Sequence, residues 1–135
     1  MKHILFGVSL SFMLIILNGC RYEKLDSKKV SDVDFTVMDM TQIPPELEEQ
    51  IVEKRGREFT LVYKVDEEMY LCVGYGKQLT GGYSVKVREV YMTENTLCVD
   101  TTLIGPKENK LVLKACSYPC IVIKVKNIDK KVVFL

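Results

Sequence analysis

Cys116-Ser117-Tyr118-Pro119-Cys120 holds the most reactive side chains in this 135-residue chain. Two thiols separated by three residues can close a disulfide where the chain turns, here at Pro119, or supply half of a metal site. Only Cys72 and Cys98 could complete a four-cysteine site. Both lie inside apolar runs, Leu71-Cys72-Val73 and Leu97-Cys98-Val99, where a thiol behaves as a small core residue. No histidine follows His3, so no metal site is expected, and Cys72 and Cys98 are expected as thiols. The Cys116/Cys120 pair stays open between bridged and free. The missing histidine also removes the usual general base and the Ser–His and Cys–His nucleophile pairs. Glu46, Glu48 and Glu49 suit the positive end of a helix better than an acid–base cluster. Asp66-Glu67-Glu68 suits a solvated turn, and Gly74-Tyr75-Gly76 lacks the third glycine and following helix of a phosphate loop. No catalytic residue and no cofactor are assigned; the expectation is a binding domain.

The second constellation is Gly74 to Val85, reading GYGKQLTGGYSV. Four glycines join two apolar runs, and glycine permits positive φ and close backbone approach. Lys77, Thr80, Gly81, Gly82 and Tyr83 could form a binding loop that offers backbone donors and an aromatic ring. The alternative is a structural turn with Tyr83 as its packing anchor.

The elements that must position these residues follow from periodicity. Phe35 to Met40 reads as a strand. Pro44-Pro45 then opens ELEEQIVEKRG, a helix of about three turns. It has acidic residues early, Lys54 and Arg55 late, and Leu47 and Ile51 on one face with Val52 beside them. Gly56 ends it. So short a helix needs a sheet to pack on. Phe59, Leu61 and Tyr63 alternate, and Met69 to Val73 forms a second run. Tyr83 to Met92 places Tyr83, Val85, Val87 and Glu89 on one face and Ser84, Lys86, Arg88 and Val90 on the other. Thr96 to Leu103, Leu111 to Ala115, Ile121 to Val125 and Lys131 to Leu135 complete seven or eight short strands. Gly105-Pro106 and the charged tip Lys107 to Lys110 form a turn. The fold class is mostly β, a small β-barrel or β-sandwich with one short α-helix.

The front of the chain is different. Lys2 and His3 precede an uncharged apolar run from Ile4 to Leu17, and Gly19 stands before Cys20. This is the order of an export signal, and the run is too short for a membrane-spanning helix. Leu17-Asn18-Gly19-Cys20 is a lipobox, in which the cysteine thiol receives diacylglycerol and, in many species, further acyl chains such as palmitate. The other reading is a plain secretory signal beside a coincidental cysteine. The expected organisation is a lipoprotein signal peptide at 1–19, a lipidated Cys20 with a polar tether at 20–33, and a β domain at 34–135. The tether could instead begin the first strand, anywhere near Val30 to Asp34. All 18 acidic residues and 18 of the 19 basic ones follow the signal, so the mature charge is zero. Nucleic-acid binding needs a basic face and is not expected.

The segment GYGKQLTGGYSVKVREV resembles the signature of the PrcB C-terminal domain family. Gly76, Lys77, Thr80, Gly81, Gly82 and Tyr83 match its Gly-x-Lys-x-Thr/Ser-Gly-Gly-Tyr segment, and Pro106 matches a later turn. Tyr118-Pro119 before Ile121-Val122-Ile123-Lys124-Val125 matches its last part. Leu79 departs from the family, which often has proline there. The resemblance spans Glu58 to Val125. It implies an extracytoplasmic accessory domain, which the lipobox would anchor to the membrane. The family's namesake associates with and stabilises a subtilisin-like protease complex, although many members stand alone without a known protease. Docking on or stabilising an exported protease complex is thus the first expectation for a protein partner. Thr80-Gly81-Gly82-Tyr83 is also similar to the protease-binding loop of chagasin-like inhibitors, but their Arg-Pro-Trp loop has no counterpart in a chain without tryptophan. A structural envelope lipoprotein is the third expectation.

Overall fold

A computed structural model describes residues 28–108 and 111–135. The expected signal peptide and Cys20 lie outside the described residues. Among the described residues eight strands, β1 (Ser31–Asp32), β2 (Thr36–Met38), β3 (Glu58–Val65), β4 (Glu68–Tyr75), β5 (Ser84–Met92), β6 (Thr96–Ile104), β7 (Cys120–Lys126) and β8 (Lys131–Phe134), accompany one α-helix, α1 (Pro45–Lys54). One sheet has the order β1-β5-β6-β8 and the other β2-β7-β4-β3. Neighbours are antiparallel except β6 and β8. Two separate sheets make this a sandwich and not a closed barrel.

The layers follow from which residues are buried. Met69 and Leu71 of β4 and Ile123 and Val125 of β7 meet Val90 of β5 and Leu97 and Val99 of β6 between the sheets. The alternate residues Tyr70, Cys72 and Val122 form a second core with Ile43, Leu47 and Ile51. The helix therefore covers the outer face of the β4/β7 sheet, which explains why β4 is apolar on both sides. Leu47 and Ile51 are 0% and 2% exposed, and each such side chain contributes about 1.5–3 kcal/mol on burial. Pro45 stands in the first turn, Glu46 and Glu48 there complement the helix dipole, and Lys54 does so in the last turn. Val52, expected beside Leu47 and Ile51, is exposed. Among the described residues no helix is long and apolar enough to cross a membrane.

Three expectations change. The alternation of β5 is interrupted by a register shift between Val87 and Glu89. A bulge adds one residue and resets the faces beyond it. Val87 pairs with Thr101 and Val90 with Val99, so Val90 joins Val87 on the core face instead of opposing it. Residues 111–115 are not a strand: no ladder of paired residues runs along them, and Leu111 and Leu113 are exposed. Met40 to Gln42 is a 3-10 turn, so the first long strand ends at Met38.

In the segment expected as tether, Ser31 and Asp32 pair with Met92 and Tyr91. The flanking Val30 and Val33 amides donate to Met92 and Val90 carbonyls. The chain thus enters the sandwich as an edge strand.

A candidate partner-binding cleft

β4 ends at Tyr75 and β5 begins at Ser84; the loop between them leans on the long connection from β6 to β7. The Tyr75 amide donates to the Pro119 carbonyl at 3.0 Å. Gln78 and Ser117 exchange backbone hydrogen bonds of 2.8 and 3.0 Å, and the Gly81 amide donates to the Leu113 carbonyl at 2.9 Å. Ser117 Oγ donates to the Thr80 carbonyl at 2.7 Å. Five such bonds, each worth about 0.5–1.5 kcal/mol, hold two irregular segments together where no sheet ladder does. Beneath them the Tyr75 hydroxyl and Thr101 Oγ1 lie 2.7 Å apart, tying the two sheets at this end.

Two glycines are required by this geometry. Gly82 has φ +86°, and a Cβ there would lie 2.9 Å from Pro106 Cβ and 3.1 Å from Val112 Cγ1. Gly76 has φ +78°, and its Cβ would lie 3.2 Å from the Arg57 and Glu58 backbone. Any other residue would meet both the left-handed penalty and a close contact.

The result is a cleft of about 380 Å³ between the Gly81-Gly82 turn, the start of β5, the end of β6, Gly105-Pro106-Lys107 and Leu111-Val112-Leu113. Its rim carries exposed apolar side chains. Leu111 and Leu113 are 105% and 77% exposed, and Ile104 is exposed as well. Leu79, on the same loop, is 78% exposed. Clustered exposed apolar side chains mark interaction surfaces in soluble domains.

The sequence-derived site residues divide. Gly81 and Gly82 line the cleft. Lys77 is exposed, with its amide 3.4 Å from the Gly56 carbonyl it donates to. Thr80 contributes its carbonyl to Ser117. Tyr83 is half-buried with a ring carbon 3.6 Å from where a Gly105 Cβ would sit. Tyr118 and Pro119 support the loop from behind: the Tyr118 ring lies under the Arg55 guanidinium at 4.5 Å. Ile104, Lys107, Leu111 and Leu113 were missed. The Leu-Val-Leu alternation of 111–113 imitates a strand, and the signal that it is not one is its position between a Gly-Pro turn and a Tyr-Pro turn.

The cysteines also separate. Cys116 and Cys120 are free, as are Cys72 and Cys98. Cys72 and Cys120 pack on the helix side of one sheet, whereas Cys98 is buried on the other sheet, paired across from Tyr91. Among the described residues no group of three or more histidine, cysteine or carboxylate side chains is placed to hold a metal ion.

Residues 69–126 match the family model described as PrcB C-terminal. The matched span runs from β4 to the end of β7 and includes the whole cleft, in agreement with the resemblance carried by Gly76, Lys77, Thr80 to Tyr83 and Tyr118-Pro119. No curated protein and no solved structure matches the chain. The match supports an accessory role, by protein–protein association, in connection with a protease complex.

Proposed function

We propose that this chain, whose residues 69–126 carry a PrcB C-terminal domain, is a non-catalytic lipoprotein held on the extracytoplasmic face of the cell membrane by acyl chains on Cys20. In this reading the cleft docks an exported protease or a subunit of its complex. The observation that carries the docking surface is the exposed apolar rim, Ile104, Leu111 and Leu113, beside a loop pair already fixed by backbone hydrogen bonds. Such a preorganised surface loses little conformational entropy on binding.

Placement of the tether supports the same reading. The chain enters the sandwich at the Met92 end of β5, and the cleft lies at its Ser84 end. Nine extended residues separate the two ends, roughly 25–30 Å at strand rise. A domain anchored through Cys20 can thus carry its apolar rim away from the bilayer, toward a partner outside it.

The test is crosslinking on intact cells followed by capture of the tagged chain. The paired change Leu111→Asp with Leu113→Asp is expected to abolish recovery of the partner while the melting temperature stays within a few degrees. Recovery of the same protease at wild-type yield from that variant would refute the cleft as the docking surface. Cys20→Ser is expected to move the chain from the membrane fraction to the soluble one; retention in the membrane would refute lipid anchoring.

A further inference from the structure

Cys120 opens β7 and Cys72 lies within β4, the strand beside it. The register sets Gly74 opposite Cys120 and Val122 opposite Cys72, so the two cysteines are diagonal neighbours on one face. Gly74 has no side chain, and the Phe59 ring occupies the space where its Cβ would lie. Both belong to the core under the helix, packed with Leu47, Ile51 and Val122. Cys72 is 0% exposed, whereas Cys120 is reachable from solvent.

The pair is also polarised. The neighbouring Cys72 thiol, with the nearby Arg55 cation, holds Cys120 down to about 7 against the opposing effect of burial. The proximity of Cys120 and burial push Cys72 far up, so it keeps its proton. One thiol is accessible and partly ionised near neutral pH, and its neighbour is protected, which is the asymmetry of an attacking and a resolving cysteine.

We propose that Cys72 and Cys120 form a redox-active dithiol that closes to an inter-strand disulfide on reaction with a disulfide oxidant, Cys120 entering first and Cys72 resolving. The Cys120 thiolate attacks one sulfur of the oxidant, whose S–S bond breaks, and one half leaves as a thiolate. Cys72 then attacks the Cys120 sulfur of this mixed disulfide and gives up its proton. The Cys72–Cys120 bond forms, and the second half leaves. The cysteines lose two electrons and two protons, and the oxidant gains both and becomes two thiols. Diagonal partners sit about 7–8 Å apart, and a disulfide spans up to about 6.8 Å between Cα atoms. Closure therefore draws β4 and β7 together beside the Tyr75–Pro119 hydrogen bond, the root of both loops that shape the cleft.

The experiment treats the full-length chain in detergent with oxidised glutathione or with dithiothreitol. Free thiols are then alkylated, and the peptides are mapped by mass spectrometry. Oxidation is expected to link the Cys72 peptide to the Cys120 peptide and leave Cys98 alkylated. Cys116→Ser is expected to change nothing, and Cys72→Ser to leave Cys120 trapped as a glutathione mixed disulfide. A Cys116–Cys120 link, or alkylation of both Cys72 and Cys120 after oxidation, overturns the proposal. The wild-type map decides the question even where Cys72→Ser fails to fold.

Discussion

Replacing Gly82 by alanine tests whether the cleft is built into the fold. Gly82 sits at φ +86°, a conformation that costs an alanine about 1–2 kcal/mol. Its new Cβ would stand 2.9 Å from Pro106 Cβ and 3.1 Å from Val112 Cγ1. One methyl forced into packed surroundings costs about 1 kcal/mol more at the low end of overpacking. The loop should therefore lose about 2–3 kcal/mol, which opens it roughly 30- to 150-fold more often at about 1.36 kcal/mol per tenfold. The readout is hydrogen exchange at the Gly81 and Ser117 amides, which bond to the Leu113 and Gln78 carbonyls across the two segments. Both amides should exchange faster by that factor whether or not the sandwich itself is destabilised. Gly56→Ala is the control, since a Cβ there meets nothing within 4 Å. If Gly82→Ala protects these amides as well as wild type does, the two segments are not held by contact at Gly82, and the cleft is not preformed.

Four further outcomes follow from the same geometry. Leu47→Ala removes a fully buried side chain between the helix and the β4/β7 sheet and should cost about 2–5 kcal/mol in denaturant unfolding. Val52→Ala, one turn away but exposed, should stay within about 0.5 kcal/mol. Alkylation of Cys120 should rise about tenfold per pH unit below pH 7 and level off above it, because its thiolate fills as pH rises through about 7. That phase should vanish in Cys120→Ser when reagent uptake is followed by mass spectrometry. Thr101→Val removes the Tyr75 hydroxyl's partner between the sheets and should cost about 1–3 kcal/mol in thermal or denaturant unfolding.

What could be read in the sequence was what depends on local pattern. The helix was legible because prolines, early carboxylates and the Leu47/Ile51 spacing all act within three turns. The strands from Glu58 to Tyr75 were legible because alternation in β3 and a doubly apolar β4 each report their own burial. The family motif was legible because glycines at positive φ, such as Gly76 and Gly82, leave a composition that few other demands produce. What failed needed knowledge of a neighbour. The bulge beside Arg88 is set by how β5 meets β6, and it alone turns Val90 into a core residue. Leu111 to Leu113 has a strand's alternation without a strand's partner, and only the pairing of Gly81 with Leu113 shows where it goes. The thiol facing Cys120 is brought there by the β4–β7 register from 48 positions earlier in the chain, not by the C-x₃-C spacing. The cleft thus arises where two segments that each look ordinary in isolation are bonded to one another. This is why its apolar rim, the feature most directly tied to binding, was invisible until the fold placed Leu111 and Leu113 beside Ile104 and the Gly81-Gly82 turn.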